Sequence, residues 1–311
     1  MDASKQQAFL GMGAMGRGMA AQLAMKGGLS KPILLWNRTH KTAVKAEESI
    51  GGNSARAVES LVEIVREADI VWSCLYDQPV VERVYEEILE KVDLVGKVVV
   101  ECSTITPEGA DGLARRVVGA GGRFVTMPVF GSPSMAAGGQ LSCITAGPAA
   151  DVEAIKSFLV GVMGKAHIDL SDQTPGKAQE LKLCGNIFNF TTLQQLAEFY
   201  TMVEKAGIGA KRGHQLVQAL FPPGTPQAIY GEGMVTGRSF DTQNIVVDVE
   251  KTLHIAEYVN ALADRNGVPL KAYNLAVDNI RAVGDRGDFT AVYGVVREQS
   301  GLLFVPNEGS V

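Results

Sequence analysis

A glycine-punctuated turn near the head of the chain narrows its possible folds more than any other feature. Ala8-Phe9-Leu10 is a short apolar run, Gly11-Met12-Gly13-Ala14-Met15-Gly16 follows it at once, and a helical stretch over 15–26 comes next. A GxGxxG run in isolation is a weak signal, but between a strand and a helix it has a physical reading. Gly11 permits a tight turn, Gly13 lets a bulky anion approach the backbone, and Gly16 lets helix and strand pack closely. The unpaired N–H groups at the helix start favour a pyrophosphate. The order strand, loop, helix, strand implies a dinucleotide-binding Rossmann unit, with Gly11, Met12, Gly13, Ala14, Met15 and Gly16 as its phosphate loop.

The rest of the first half keeps that rhythm. Ile33-Leu34-Leu35-Trp36, Ile70-Val71-Trp72-Ser73-Cys74 and Val98-Val99-Val100-Glu101-Cys102 read as strands, as do Arg123-Phe124-Val125, Leu141-Ser142-Cys143-Ile144-Thr145 and Ala166-His167-Ile168. Helical stretches, 151–160 among them, lie between most of these, which predicts a parallel sheet covered on both faces. Beyond Leu170 the strand signals fade. Thr174-Pro175-Gly176 is a helix start, with Thr174 as N-cap and Pro175 in the first turn. The helical pattern then runs to Lys205, about 30 residues or roughly 45 Å, longer than a small domain needs, so it reads as a spine between domains. Further helices are expected over 211–220, 245–266, 271–283 and from about Thr290, with an unordered tail from Val305. The expected architecture is α/β: a doubly wound Rossmann domain over 1–170, joined by the long interdomain helix to an all-helical substrate and dimerisation domain over 171–311.

Composition excludes several function classes. The 311-residue chain has a net charge of −5 with its charges dispersed, which argues against the clustered basic face of a nucleic-acid binder. No apolar run approaches the roughly 20 residues that span a bilayer, and Met1-Asp2-Ala3-Ser4 lacks the pattern of a secretory signal. Cys74, Cys102, Cys143 and Cys184 have no metal-ligand or CxxC spacing and are expected as buried thiols of a cytoplasmic protein. With no pairing among its histidines either, the chain is expected to bind no metal.

About 20 residues past the fingerprint, an acidic side chain would bond the adenosine ribose and repel a 2′-phosphate. The chain has Asn37-Arg38-Thr39 there. Arg38 offers a guanidinium fork to a phosphate, and Asn37 and Thr39 add uncharged partners. NADP(H) is the expected cofactor. On the long helix, Gln179, Lys182, Asn186 and Asn189 fall on one face, hemmed by Leu181, Leu183, Cys184, Ile187, Phe188 and Phe190. A narrow polar line on an apolar helix suggests groups lining a cleft.

These residues together resemble the β-hydroxyacid dehydrogenase family, which is 6-phosphogluconate dehydrogenase-like and includes 3-hydroxyisobutyrate dehydrogenases and glyoxylate/succinic semialdehyde reductases. The resemblance covers nearly the whole chain. The glycine loop with Met19-Ala20 looks like the cofactor signature, and Trp36-Asn37-Arg38-Thr39 is similar to an NADP-type second strand. Cys74-Leu75-Tyr76-Asp77 resembles the loop on the nicotinamide side, which places Leu75 and Tyr76 at the cofactor. Ser103-Thr104-Ile105 matches a short motif that implies Thr104 at the nicotinamide and Ser103 at the substrate. Pro128-Val129-Phe130-Gly131-Ser132 corresponds to the substrate segment, with Phe130, Gly131 and Ser132 as substrate-binding residues. By resemblance Lys182 is the catalytic lysine, Asn186 its substrate-contacting neighbour, and Lys251 reaches toward the cofactor. The sequence departs from the family in having Phe130 for a carboxylate-holding serine, Thr252 for an aspartate and Ala178 for a glycine. The resemblance implies a reductase of a small carbonyl compound, aldehyde, semialdehyde or 2-oxo acid, that assembles as a homodimer or homotetramer. An imine reductase on the same fold and a non-catalytic NADP-binding interaction protein are the alternatives; Lys182 counts against both.

Overall fold

The computed structural model describes residues 4–245 and 247–306. By internal contacts the chain divides into two compact units, Met1–Lys182 and Leu183–Val311. The division falls inside one uninterrupted helix, α8 (Pro175–Lys205).

The first unit is a Rossmann sheet wrapped by helices. In chain order it contains β1 (Gln7–Leu10), α1 (Ala14–Lys26), β2 (Ile33–Trp36), α2 (His40–Ile50), β3 (Ala55–Ala57), α3 (Leu61–Glu67), β4 (Ile70–Ser73), α4 (Gln78–Lys91), β5 (Val98–Glu101) and α5 (Pro107–Gly119). It continues through β6 (Arg123–Thr126), β7 (Val129–Phe130), α6 (Pro133–Ala137), β8 (Leu141–Gly147), α7 (Ala149–Ile155) and β9 (Gly164–Ser171). The strand order is β3-β2-β1-β4-β5-β6-β8-β7, with β9 on the other side of β8. From β3 to β6 all pairings are parallel. Alternate residues of these continuously apolar strands feed two cores. Phe9, Leu35, Trp72 and Val100 pack with α1 and α2 on one face, and Ala8, Leu34, Val71 and Val99 with α3, α4 and α5 on the other, as a doubly covered parallel sheet requires.

Register sets the last residues of the strands level. Leu10 pairs with Trp36 and Ser73, Ser73 with Glu101, and Glu101 with Thr126. One row therefore crosses the carboxyl edge of the sheet, where ligands of open α/β sheets bind.

Several expectations need correction. The sheet is not wholly parallel, because β8 runs antiparallel to β6 and β7. The short strands β3 and β7 have too few residues to show a period. The helix expected over 151–160 stops at Ile155 and tightens to a 3₁₀ turn over Lys156–Phe158.

The second unit is helical throughout its described residues: the later part of α8, then α9 (Ala210–Leu220), α10 (Pro226–Val235), α11 (Val249–Arg265), α12 (Lys271–Val283) and α13 (Val292–Gln299). Its core joins Leu193, Leu196 and Tyr200 of α8 to Tyr273, Ile280 and Tyr293. A polar chain crosses it, Gln299 donating to Asn279 and Asn279 to Gln194, each at 2.8 Å. Helix α11 starts at Val249, not 245, because Asp248 caps it by accepting from the Lys251 N–H at 2.6 Å. Helix α10 was not expected. The segment predicted to begin near Thr290 enters through a 3₁₀ turn, Phe289–Ala291, before α13. The expectation for the tail falls largely on 307–311, outside the described residues.

Candidate active site

The glycine loop leaves β1 at the row's second position. Gly11 has φ +99°, and a Cβ there would meet the Cys74 carbonyl oxygen at 2.3 Å. A Cβ on Gly16 would lie 1.9 Å from the Gly11 carbonyl oxygen. Packing alone demands these two glycines. Gly13 differs: a Cβ there meets nothing within 4 Å, so the space beside it is open. Gly13 is also the N-cap of α1, and no side chain caps that helix and no acidic residue lies in its first turn. The exposed stretch Gly13-Ala14 thus presents free helix-start N–H groups, the arrangement that receives a phosphate. Met12 turns its side chain into the core, and Met15 packs against the same core.

The end of β2 supports this loop. The Asn37 side-chain oxygen accepts from the Met12 N–H at 3.1 Å, and its amide nitrogen donates to the Thr39 carbonyl at 3.2 Å. Asn37 therefore braces the phosphate loop, a role its sequence position did not disclose. Arg38 and Thr39 are exposed, and no ion pair among the described residues engages Arg38. Thr39 precedes α2 without a side-chain cap bond, and that helix too has no acidic first-turn residue.

Across the row, the turns after β4 and β5 are locked together. The Leu75 N–H donates to Ser103 Oγ at 2.8 Å. Glu101, wholly buried, accepts from the Ser103 N–H at 2.6 Å and from the Ser73 hydroxyl at 2.5 Å, which leaves Ser73 Oγ to accept from the Tyr85 hydroxyl at 2.6 Å. Burial raises the Glu101 pKa, and the hydrogen bonds from Ser103 and Ser73 oppose the rise. Ser103 is thus part of the framework, 2 % exposed with its hydroxyl engaged. Thr104 is half-buried and Tyr76 half-exposed.

Helix α8 starts pinned to α5. The Gly176 N–H donates to Asp111 Oδ1 at 2.7 Å, and a Cβ on Gly176 would crowd Asp111 and the Pro107 carbonyl at 2.9 Å. Ala178, in place of the family's glycine, packs its methyl with Ile144, Ala146, Phe130 and Leu170. Gln179, Lys182 and Asn186 are buried, at 0 %, 9 % and 4 % exposure. The opposite side carries Leu181, Cys184, Phe188 and Met202, all exposed. The apolar neighbours expected to hem the polar stripe therefore lie partly in the open, and Cys184 is not the buried thiol expected.

Lys182 has an unusual partner. Its Nζ stands 3.7 Å from the centroid of the Phe130 ring, a cation–π contact in place of a carboxylate. Burial lowers its pKa from 10.5 to about 7, with an opposing pull from Cys74. An ammonium with that pKa exchanges a proton readily near neutrality. Asn186 lies one helical turn further on, its Nδ2 buried without a hydrogen-bond partner. A buried amide donor left unpaired is costly, and an acceptor on a ligand would satisfy it.

Other expected site residues take framework positions. Gly131 (φ +147°) lies against Leu141, and Ser132 caps α6, accepting from the Met135 N–H at 3.3 Å. Lys251 lies in the first turn of α11, and Thr252 donates to the Asp248 carbonyl at 2.8 Å. Among the described residues no His/Cys/Asp/Glu group could hold a metal, and no helix is long and apolar enough to cross a membrane. Glu101 and Gln179 are functional candidates that residue type and spacing did not single out; Gln179 showed only its place on the stripe.

The family model described as the NAD binding domain of 6-phosphogluconate dehydrogenase matches residues 6–173. The NADH-dependent oxidoreductase ucdB of Aspergillus ustus is 36% identical over 294 residues, 93% of this chain and 98% of the relative. The 2-hydroxy-3-oxopropionate reductase of Escherichia coli is 28% identical over 251 residues, 80% of this chain and 82% of the relative. Among solved structures, 3-hydroxyisobutyrate dehydrogenase from Salmonella typhimurium has a TM-score of 0.81 at 19% identity, covering 94% of this chain and 100% of that one. That likeness is one of fold. The open Gly13 and bare α1 fit the nicotinamide dinucleotide that such a domain binds.

Proposed function

The chain belongs to the β-hydroxyacid dehydrogenase family of NAD(P)-dependent oxidoreductases, and from that premise we propose that it reduces a small carbonyl compound with NADPH, using Lys182 as the proton donor. When bound, the reduced nicotinamide supplies a hydride to the carbonyl carbon. The N–H groups at Gly13 and Ala14 hold the pyrophosphate, and Arg38 takes the adenosine 2′-phosphate. The Aspergillus ustus relative is named as NADH-dependent, so for this chain the preference rests on Arg38 and on the lack of an acidic residue in Asn37-Arg38-Thr39. Leu75, Tyr76 and Thr104 line the nicotinamide side.

The observation that carries the reading is Lys182: a buried amine with a pKa of about 7, facing an aromatic ring, with the unpaired amide of Asn186 one turn away. Negative charge develops on the carbonyl oxygen as hydride arrives. The Lys182 ammonium neutralises it by donating a proton, and Asn186 Nδ2 hydrogen-bonds the substrate without changing charge. Phe130 forms an apolar wall, which suits aldehydes and ketones. The protonated amine serves reduction and the neutral amine oxidation. Reduction therefore slows as pH rises through about 7, and oxidation quickens.

The test is cofactor oxidation followed with NADPH and NADH against neutral aldehydes, ketones, 2-oxo acids and cyclic imines. Carbonyl reduction with NADPH preferred supports the reading; turnover of cyclic imines alone overturns it. The exposed side of α8 (Leu181, Phe188, Met202) suits a homodimer or homotetramer. Light scattering that gives only a 33.1 kDa species at micromolar concentration would refute that assembly.

A further inference from the structure

We infer that Gln179 is a positioning residue: it sets Lys182 against the carboxyl edge of the sheet by tying α8 to the turn over 103–105. The inference rests on the catalytic reading of Lys182. Gln179 is wholly buried and lies three residues before Lys182, so the two share a helix face. Its Nε2 donates to the Ser103 carbonyl at 3.0 Å and to Thr126 Oγ1 at 3.2 Å, and its Oε1 accepts from the Ile105 N–H at 3.3 Å. Both amide hydrogens and the oxygen are engaged by the sheet edge, with none bonded within α8.

The turn that Gln179 grips is itself a fixed reference. Glu101 holds the Ser103 N–H from beneath, and Ser103 Oγ holds Leu75 of the neighbouring turn. The carbonyl of Cys74, just before Leu75, abuts Gly11 of the phosphate loop. A dinucleotide laid along the carboxyl edge from that loop runs past the β4 turn and then the β5 turn. A continuous set of contacts therefore links the place where phosphates bind to the side chain one turn ahead of Lys182. A misplacement of about 1 Å between reacting groups can lower a rate about 100-fold. A buried, fully bonded amide prevents such a slip along α8 better than apolar contact does.

The experiment is a double-mutant cycle with Gln179→Met and Lys182→Met. Turnover is read on the carbonyl substrate that the wild type reduces best, and cofactor affinity by fluorescence titration. Gln179→Met should lower kcat about 10–100-fold and leave the cofactor Kd within about threefold. It should also raise the deuterium isotope effect on kcat with cofactor labelled at the transferred hydride, since chemistry becomes slower than release. In the Lys182→Met background the same change should add less than about twofold, because the amine it positions is gone. Gln179→Glu, of the same shape, carries the same test if Gln179→Met does not fold. Its carboxyl group should also move the falling limb of the pH profile upward, by stabilising the Lys182 ammonium. A kcat within twofold of wild type for both variants overturns the inference. So does a full 10–100-fold further loss in the Lys182→Met background, which would leave the reading of Lys182 standing. Near-wild-type turnover by Lys182→Met removes that reading and this inference together.

Discussion

Helices α1 and α2 begin without a side-chain cap and without an acidic residue in the first turn. By contrast α3, α4, α5 and α6 begin with the side chains of Ser60, Asp77, Thr106 and Ser132, each accepting from a backbone N–H three residues on. A cap satisfies helix-start donors from within the chain, whereas a bare start keeps them for an anion from solution. The contrast extends along the carboxyl edge. At β1 and β2 the groups suited to binding are exposed or open: Gly13, Ala14, Arg38. At β4, β5 and β6 they are buried and bonded in pairs, Ser73 to Glu101 and Thr126 to Gln179 of α8, and Lys182 is buried one turn further along that helix. The comparison teaches that recognition of charge and handling of a proton ask for opposite solvation. Substitutions should separate them.

The largest effect is expected at the buried end. Lys182→Met should lower kcat about 10²–10⁴-fold, the range for losing a positioned proton donor, with the cofactor Kd within about threefold. The same variant should be more stable than wild type at pH 7. A lysine whose pKa falls from 10.5 to about 7 on folding binds more protons unfolded than folded between those values. Its cost to the fold is therefore complete below pH 7 and fades as pH rises toward 10.5. Denaturation of the two proteins at pH 7 and pH 10 should show an advantage for Lys182→Met of roughly 2–5 kcal/mol that shrinks at the higher pH. A gain that grows with pH would contradict the assignment.

Gly13→Asp tests the open end directly. There is room for the side chain, and a carboxylate there would cap α1, adding roughly a few tenths of a kcal/mol over glycine. It would also occupy the anion's place and repel it, weakening both NADPH and NADH by roughly 10–100-fold. Calorimetry of folding and of cofactor binding should thus move in opposite directions; tight binding with the cap in place would break the comparison. Arg38→Ala should act more narrowly. It should weaken NADPH by about tenfold, near 1.4 kcal/mol, and leave NADH almost unchanged, and an unaltered ratio of the two affinities would sink the 2′-phosphate role. The smallest effect belongs to Phe130→Ser, which trades the ring over Lys182 for a hydroxyl donor. Activity on glyoxylate or succinic semialdehyde relative to an uncharged aldehyde should rise a few-fold, in line with about 0.5–1.5 kcal/mol for one hydrogen bond.

Sequence legibility followed the locality of each signal. The glycine loop and its flanking strand and helix were visible because each rests on neighbours in the chain. The long helix was visible in its full span, Pro175–Lys205, from an unbroken period bounded by Pro175 and Gly207. What escaped depends on partners far away in sequence. Helix α10 is rich in glycine, and Gly231 is there because a Cβ would strike the Tyr200 hydroxyl at 2.3 Å, a reason no local propensity contains. Glu101 was legible only as one residue of an apolar strand. Its partners Ser73 and Tyr85 lie 28 and 12 residues away along the two links of that network. Which side of α8 is buried was likewise set by tertiary packing, so Phe188 could be placed on the helix but not in solvent.

The three loop glycines do not bear the same selection. Gly11 and Gly16 are held by collisions inside the fold, whereas Gly13 is held by nothing within 4 Å. Losing either of the first two damages the protein, but losing Gly13 damages only its ligand. A lineage released from the need for a nucleotide would be free to drift at the middle glycine while purifying selection on the fold kept the outer pair. Such a descendant would still carry Gly-x-x-x-x-Gly, with a side chain where the pyrophosphate once lay. The middle position of this motif is therefore the one that records whether a member of the lineage still works for its living.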